Sequence, residues 1–218
     1  MKQALRKSIA KTLETINKSE VEVQSKHITN ALKPLIKPSY SVACFMSMDH
    51  GEVNTFEILQ YLFSQGNNVY LPRCTHTRKT RHVTLRGKQE RHHPHLTFHK
   101  MQNLEQVCSL KPSGKYKLRE PPEEGPAPLP AKLDIILVPG VAFNVKDGAR
   151  LGWGAGYYDD FFRRYQLHHR SDTPLLVGLA LNQQVVDHIP LEPHDYVMDC
   201  IASGDGKLHW IHEDKLNK

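Results

Sequence analysis

The chain has 218 residues, 39% of them hydrophobic and 24% charged, which is ordinary for a globular protein and long enough for one α/β domain with a substantial core. No apolar run approaches the roughly 20 residues of a membrane helix, and the N-terminus lacks the apolar stretch of a secretory signal, so no membrane partner is expected. The net charge of +6 is localised, because residues 73–100 hold eight basic residues against Glu90 alone, which leaves the rest of the chain close to neutral.

Leu5, Ile9, Leu13 and Ile16 recur at helical spacing and predict a first amphipathic helix. The first 19 residues contain Glu14 as their only acid, so a mitochondrial leader is the alternative reading, with a cytoplasmic protein expected. Ser19 with Glu22 predicts a capping box for a second helix, whose apolar face is Ile28, Ala31, Leu32, Leu35 and Ile36 and which Pro38 stops. A buried strand is expected over 41–46. Asn54 and Glu57 predict the start of a third helix with Ile58, Leu59, Leu62 and Phe63 inside and Gly66 at its end. A short strand over 69–71 should end at Pro72.

The basic, His-rich segment at about 74–97 has no clear period and reads as a long loop or a strand pair. His92, His93, His95 and His99 are read as solvated rather than as metal ligands, since no closed ligand set accompanies them. The prolines of 121–130 read as a surface connection inside one domain spanning 1–218. The run 133–138 is continuously apolar, as in a strand buried on both faces. Strands over 175–181 and 196–202 follow a helix over 157–165, with Phe161 and Phe162 as core residues. Helices alternating with buried strands imply a mostly parallel sheet with helices on both faces, a three-layer α/β/α fold. The four cysteines form no CxxC pair, so reduced thiols are expected rather than a zinc ribbon.

The chemistry concentrates after residue 138. A buried strand runs into a loop with glycine at 148, 152, 154 and 156, and the loop opens a helix. Such a loop lets an anion approach the backbone N–H groups and meets the positive end of a helix. Arg150 is a bidentate phosphate ligand by type, and Asp159, one turn into the helix, is the oxygen ligand a magnesium ion takes. The glycine spacing matches neither the dinucleotide nor the Walker fingerprint, so a tight structural turn stays open on spacing alone.

The stretch Pro139-Gly-Val-Ala-Phe143, followed by Gly148-x-Arg150-Leu-Gly152-x-Gly154-x-Gly156-Tyr-Tyr-Asp159, resembles the signature of the 5-formyltetrahydrofolate cyclo-ligase family. Lys2 with Arg6, Ser47-Met48 with Glu52 and Thr55, Leu71-Pro72-Arg73, Arg119-Glu120-Pro121 and His194-Asp195 with Asp199 extend the likeness over most of the chain. The resemblance implies ATP- and Mg²⁺-dependent cyclisation of 5-formyltetrahydrofolate to 5,10-methenyltetrahydrofolate, with release of ADP and phosphate through a phosphorylated formyl intermediate.

The resemblance also implies the site. Arg150 and Tyr157 are the catalytic residues. ATP is bound by Lys2, Arg6, Arg150, Leu151, Gly152, Trp153, Gly154, Ala155, Gly156, Tyr157 and Tyr158. The folate, polyglutamylated forms included, is bound by Met46, Glu52, Trp153, Gly154, Ala155, Gly156 and Tyr157, and Mg²⁺ by Asp159 and Asp195. Asn144 departs from the family's usual Asp, and Ala155 stands where some members carry lysine. A monomer with no nucleic-acid partner is implied. The rivals are an α/β enzyme of sugar phosphates or CoA thioesters and a nucleic-acid-binding protein using the 73–100 patch, where Phe98 is the only aromatic residue.

Overall fold

A computed structural model describes residues 1–48, 51–85, 93–114, 116–122, 129–170, 172–212 and 215. Helices α1 (Lys2–Glu14) and α2 (Lys18–Leu32) lead into β1 (Ser41–Ala43), α3 (Phe56–Ser64) and β2 (Asn68–His76). The short α4 (Thr77–Thr80), β3 (Pro94–Met101), α5 (Leu104–Cys108) and a two-strand ladder of β4 (Pro112–Ser113) and β5 (Leu118–Arg119) follow. The second half comprises β6 (Ile135–Val138), β7 (Ala142–Phe143), β8 (Arg150–Leu151), α6 (Tyr157–His168), β9 (Leu175–Ala180), β10 (Cys200–Ser203) and β11 (Leu208–Trp210).

Seven strands form one sheet in the order β11-β10-β9-β6-β1-β2-β3. The five central strands are parallel, and β3 and β11 run antiparallel at the two edges. Alternation along the strands builds two cores. Val42, Val69, Leu71, Ile135, Leu137, Val177 and Leu179 pack with Ile9 and Leu13 of α1, Ile28 and Leu32 of α2, and Ile58 and Leu62 of α3. Ala43, Phe98, Ile136, Val138, Leu176 and Ile201 pack with Phe161, Phe162 and Tyr165 of α6 on the other face. The expected three layers are present.

Several boundaries differ from the sequence reading, each for a local reason. The side chain of Asn17, not Ser19, caps α2 by accepting the Glu20 N–H at 2.8 Å. The helix ends at Leu32 because Pro34 opens a 3₁₀ turn, before Pro38 is reached. Asn54 accepts the Phe56 N–H at 3.0 Å, one position ahead of the α3 N-cap, Thr55.

Pro72 does not end β2. The Tyr70 carbonyl accepts Cys44 N–H on the β1 side, so residue 72, two further along, turns its missing N–H the same way, beyond the end of β1. The strand-pair reading of 73–100 holds, with eight residues of β2 in register with β3. Its tip, 86–92 with His92, and residues 123–128 of the proline stretch lie outside the described residues. The last predicted strand starts later, at Cys200, and β11, α5 and the β7–β8 hairpin were not anticipated.

Phe143 sits fully buried between two glycines. A Cβ at Gly178 would lie 2.6 Å from its Cε1, and one at Gly140 would lie 2.7 Å from its Cζ. Gly178→Ala is therefore expected to cost about 1–3 kcal/mol through overpacking, read as a lowered thermal midpoint. Adding Phe143→Leu should recover part of the loss, and a midpoint unchanged by Gly178→Ala would contradict this packing.

Candidate active site

The chain direction reverses at the sheet centre. From β1 the chain crosses through α3 to β2 on one side, and from β6 it crosses through α6 to β9 on the other. Adjacent parallel strands whose crossovers depart in opposite directions leave a crevice beyond their C-terminal ends, where ligands of such sheets bind. Here those ends deliver Cys44–Met48 after β1 and Pro139–Leu151 after β6.

The segment after β1 is held in shape by Thr55. Its hydroxyl donates to the Phe45 carbonyl at 2.6 Å and accepts the Ser47 N–H at 3.3 Å. Glu52 is buried and accepts the Met48 N–H at 2.9 Å. Burial raises its carboxyl to about 7, against the opposing pull of the Met48 N–H and a hydrogen bond with Trp153. Glu52 and Trp153, from distant parts of the sequence, thus meet at one edge of the crevice.

The segment after β6 folds into the β7–β8 hairpin, whose turn Asn144 organises. Its Oδ1 accepts the Lys146 N–H at 2.8 Å, and its Nδ2 donates to the Asp187 carbonyl at 3.0 Å and to Asp147 at 3.1 Å. An aspartate could not make the two donations, so the departure at this position has a local purpose. Gly148 turns with φ 73, and a Cβ there would lie 2.5 Å from the Met198 carbonyl.

Arg150 is the centre of the loop. Its side chain is 6% exposed, with Nη2 donating to Asp159 Oδ2 at 3.0 Å and Nη1 to the Pro139 carbonyl at 3.3 Å. Its guanidinium lies 5.5 Å from the centre of the Tyr158 ring, and its buried Nε has no hydrogen-bond partner. The other oxygen of Asp159 accepts the N–H of Tyr196, the residue after Asp195, at 3.1 Å. Both oxygens of Asp159 are therefore engaged by protein donors.

Helix α1 supplies the cations. Lys2 and Arg6, four residues apart, share one face. Arg6 Nε donates to the Gly152 carbonyl at 2.7 Å, and its guanidinium lies against Gly154, where a Cβ would sit 3.4 Å from Cζ. Lys2 Nζ lies 2.5 Å from Asp195 Oδ2 and 3.2 Å from Glu192. Among the described residues, Glu192, His194 and Asp195 bring three ligand atoms within 4.8 Å of one another.

Two features escaped the sequence reading. Glu120 accepts the Cys74 N–H at 2.7 Å, and Arg73 Nη1 donates to the Pro121 carbonyl at 2.6 Å, so the stretches around 73 and 120 form one wall. Tyr157 faces this wall, and burial first, then the fields of Cys74, Glu120 and Tyr116, raises its hydroxyl. His95 is buried rather than solvated and lies 3.4 Å from Asp160. No sequence signal distinguished it from its neighbours in a polar segment. Arg78, Lys79 and Arg81 are exposed. No helix of the described residues is long and apolar enough to cross a membrane.

Residues 1–204 match the family model described as the 5-formyltetrahydrofolate cyclo-ligase family. The chain is 51% identical to the 5-formyltetrahydrofolate cyclo-ligase of Saccharomyces cerevisiae, covering 96% of this chain and 98% of that one. It is 28% identical to the Mus musculus protein of the same name, over 94% of each. In fold it is similar to the NMR structure of Aquifex aeolicus 5,10-methenyltetrahydrofolate synthetase, with a TM-score of 0.69 and 24% identity over 96% of this chain and 92% of that chain.

The raised Glu52 carboxyl gives a signed prediction. Between its ordinary value of 4.5 and about 7, the unfolded chain has released this proton and the folded chain has kept it. This group's contribution to stability therefore falls as pH rises through that window and levels off above it. Relative to the parent, Glu52→Gln should gain about 2–3 kcal/mol between pH 4.5 and 7.5, measured by urea unfolding at a series of pH values. A pH-independent difference would show that Glu52 is ionised in the folded protein.

Proposed function

The chain belongs to the 5-formyltetrahydrofolate cyclo-ligase family, and on that premise we propose that it closes the ring of 5-formyltetrahydrofolate at the expense of MgATP, forming 5,10-methenyltetrahydrofolate, ADP and phosphate. The observation that carries this reading is the convergence of Arg6 and Arg150 on the loop of Gly152, Gly154 and Gly156 at the N-terminus of α6. A dense set of donors at a helix start is a polyanion site.

In this reading the triphosphate lies along Leu151 to Tyr158, with Ala155 in place of a side-chain cation, and Lys2 and Arg6 cover it from α1. The folate lies between Met46 and Glu52 on one side and Trp153 and Tyr157 on the other. The formyl oxygen attacks the γ-phosphorus, and ADP leaves. The phosphorylated oxygen is then a good leaving group. The neighbouring folate nitrogen attacks the formyl carbon and releases its proton to water, the C–O bond breaks and phosphate departs. The protein needs no covalent nucleophile for this, only alignment and opposition of charge.

Asp195, with Glu192 and His194, would hold a magnesium ion brought by the nucleotide, which would oppose the charge of the phosphates. Asp159 would join them if a phosphate replaced it on Arg150, since the two now engage each other. The same reading has residues 1–218 acting as one domain and as a monomer in the cytoplasm, without nucleic acid.

The test mixes protein, 5-formyltetrahydrofolate and MgATP and follows methenyltetrahydrofolate absorbance. Omitting either nucleotide or divalent ion should abolish the signal. Arg150→Ala should lower turnover by at least about 100-fold, the scale of losing a donor to transition-state charge. Thermal melts of that variant separate loss of the Asp159 contact from loss of fold. Turnover without nucleotide, or a near-normal rate from the variant, would refute the assignment.

A further inference from the structure

Two carboxylates follow one another in the first turn of α6. Successive helical residues point about 100° apart, so Asp159 and Asp160 grip different neighbours. Asp159 holds Arg150 and the Tyr196 backbone. Asp160 turns the other way, toward the β2–β3 hairpin, and takes no part in the reaction described above.

Asp160 is 1% exposed. Arg164, one turn on, reaches back with Nε at 2.7 Å from Oδ2 and Nη2 at 3.2 Å from Oδ1. His95 of β3 places Nδ1 at 3.4 Å from Oδ2, and His93 places Nδ1 at 3.9 Å from Oδ1. The His82 ring packs on His95 with centroids 4.9 Å apart. Burial alone would raise the Asp160 carboxyl, but the His95 and Arg164 contacts together hold it below the ordinary value. It is an ionised group inside the protein. Phe161, beside it in sequence, packs on Phe98 of the same strand with centroids 4.6 Å apart.

A buried ion pair is a poor source of net stability, since apolar residues of the same volume often do as well. Its contribution here is direction. Helix α6 begins at Gly156, which has φ 74 and no side chain to cap the helix. The Asp160 N–H makes the first helical bond, to the Gly156 carbonyl, at 3.0 Å. The orientation of the loop N–H groups therefore depends on what holds this turn, and the two carboxylates hold it from opposite sides.

We propose that Asp160 is a positioning residue for the cyclo-ligase reaction, acting through His95 and Arg164 to fix the first turn of α6 beneath the glycine loop. The inference rests on the reading of that loop as the triphosphate cradle. A small misplacement of a charge-opposing loop slows chemistry steeply, and of the folate contacts it moves Trp153 and Tyr157 but not Met46 and Glu52. Asp160→Asn keeps the shape and removes the charge. It should lower kcat by about tenfold or more, a larger factor than its effect on the KM for 5-formyltetrahydrofolate. His95→Gln should shift kcat in the same direction, and the double variant should be no slower than Asp160→Asn, because the two substitutions break one contact.

The parent assayed without nucleotide reports separately on the cradle. Turnover there removes the reading on which the inference stands. A nucleotide-requiring parent with an Asp160→Asn variant of unchanged kcat removes the inference alone, as do losses that multiply in the double variant. Should Asp160→Asn fail to fold by circular dichroism, His95→Gln decides by the same kcat and KM comparison.

Discussion

A guanidinium that cannot reach bulk water must be answered by fixed oxygens. Arg150 finds them at the end of β6, in the Pro139 carbonyl, and one turn into α6, in Asp159. Because Asp159 also takes the Tyr196 amide, this one contact ties the central strand, the hairpin after it, the helix beyond and the loop before β10 into a single frame. The glycines around it follow from its bulk. A Cβ at Gly152 would lie 3.0 Å from Arg150 Nη1, and one at Gly140 would lie 3.3 Å from its Cγ. The glycines at 140 and 152 make room for the loop's own arginine, and the proposed reading adds the approach of an anion.

The frame is occupied by its own charges. Arg150 faces Asp159, Lys2 faces Asp195 and Glu192, and Arg6 faces a carbonyl. Under the proposed reading, a triphosphate arriving with a divalent ion would exchange these partners pairwise, phosphate for carboxylate on the cations and metal for cation on the carboxylates. Such an exchange would keep the site close to neutral at each stage and limit the desolvation cost of binding so much charge.

The fold class was legible in the sequence, whereas the candidate site was named there through resemblance. The parallel sheet showed itself in runs such as 133–138, because a strand covered on both faces must be apolar throughout. Phe161 and Phe162 were recognisable as core from helical spacing, and both are buried. Lys2 and Arg6 were named through resemblance, and only the structure brings a helix from the far end of the chain onto Gly152. What stayed hidden depends on partners distant in sequence. His95 looks like any histidine of a polar segment until β3 pairs with β2 and faces it toward Asp160. The capping of α2 by Asn17 rather than Ser19 turned on a choice between nearby polar residues that pattern alone does not make. The length of β2 past Pro72 required knowing which neighbour strand stops first.

Helix α1 closes the site from contacts that are as far apart along the chain as they can nearly be, Arg6 with Gly152 and Lys2 with Asp195. During synthesis this first segment leaves the ribosome with Ile9 and Leu13 bare, and its landing place does not yet exist. It must wait until the hairpin, α6 and the loop at 192–195 have emerged. Helix α1 is thus translated before the surfaces it packs on and settles after them, and the frame is complete only when this helix returns to the finished crevice.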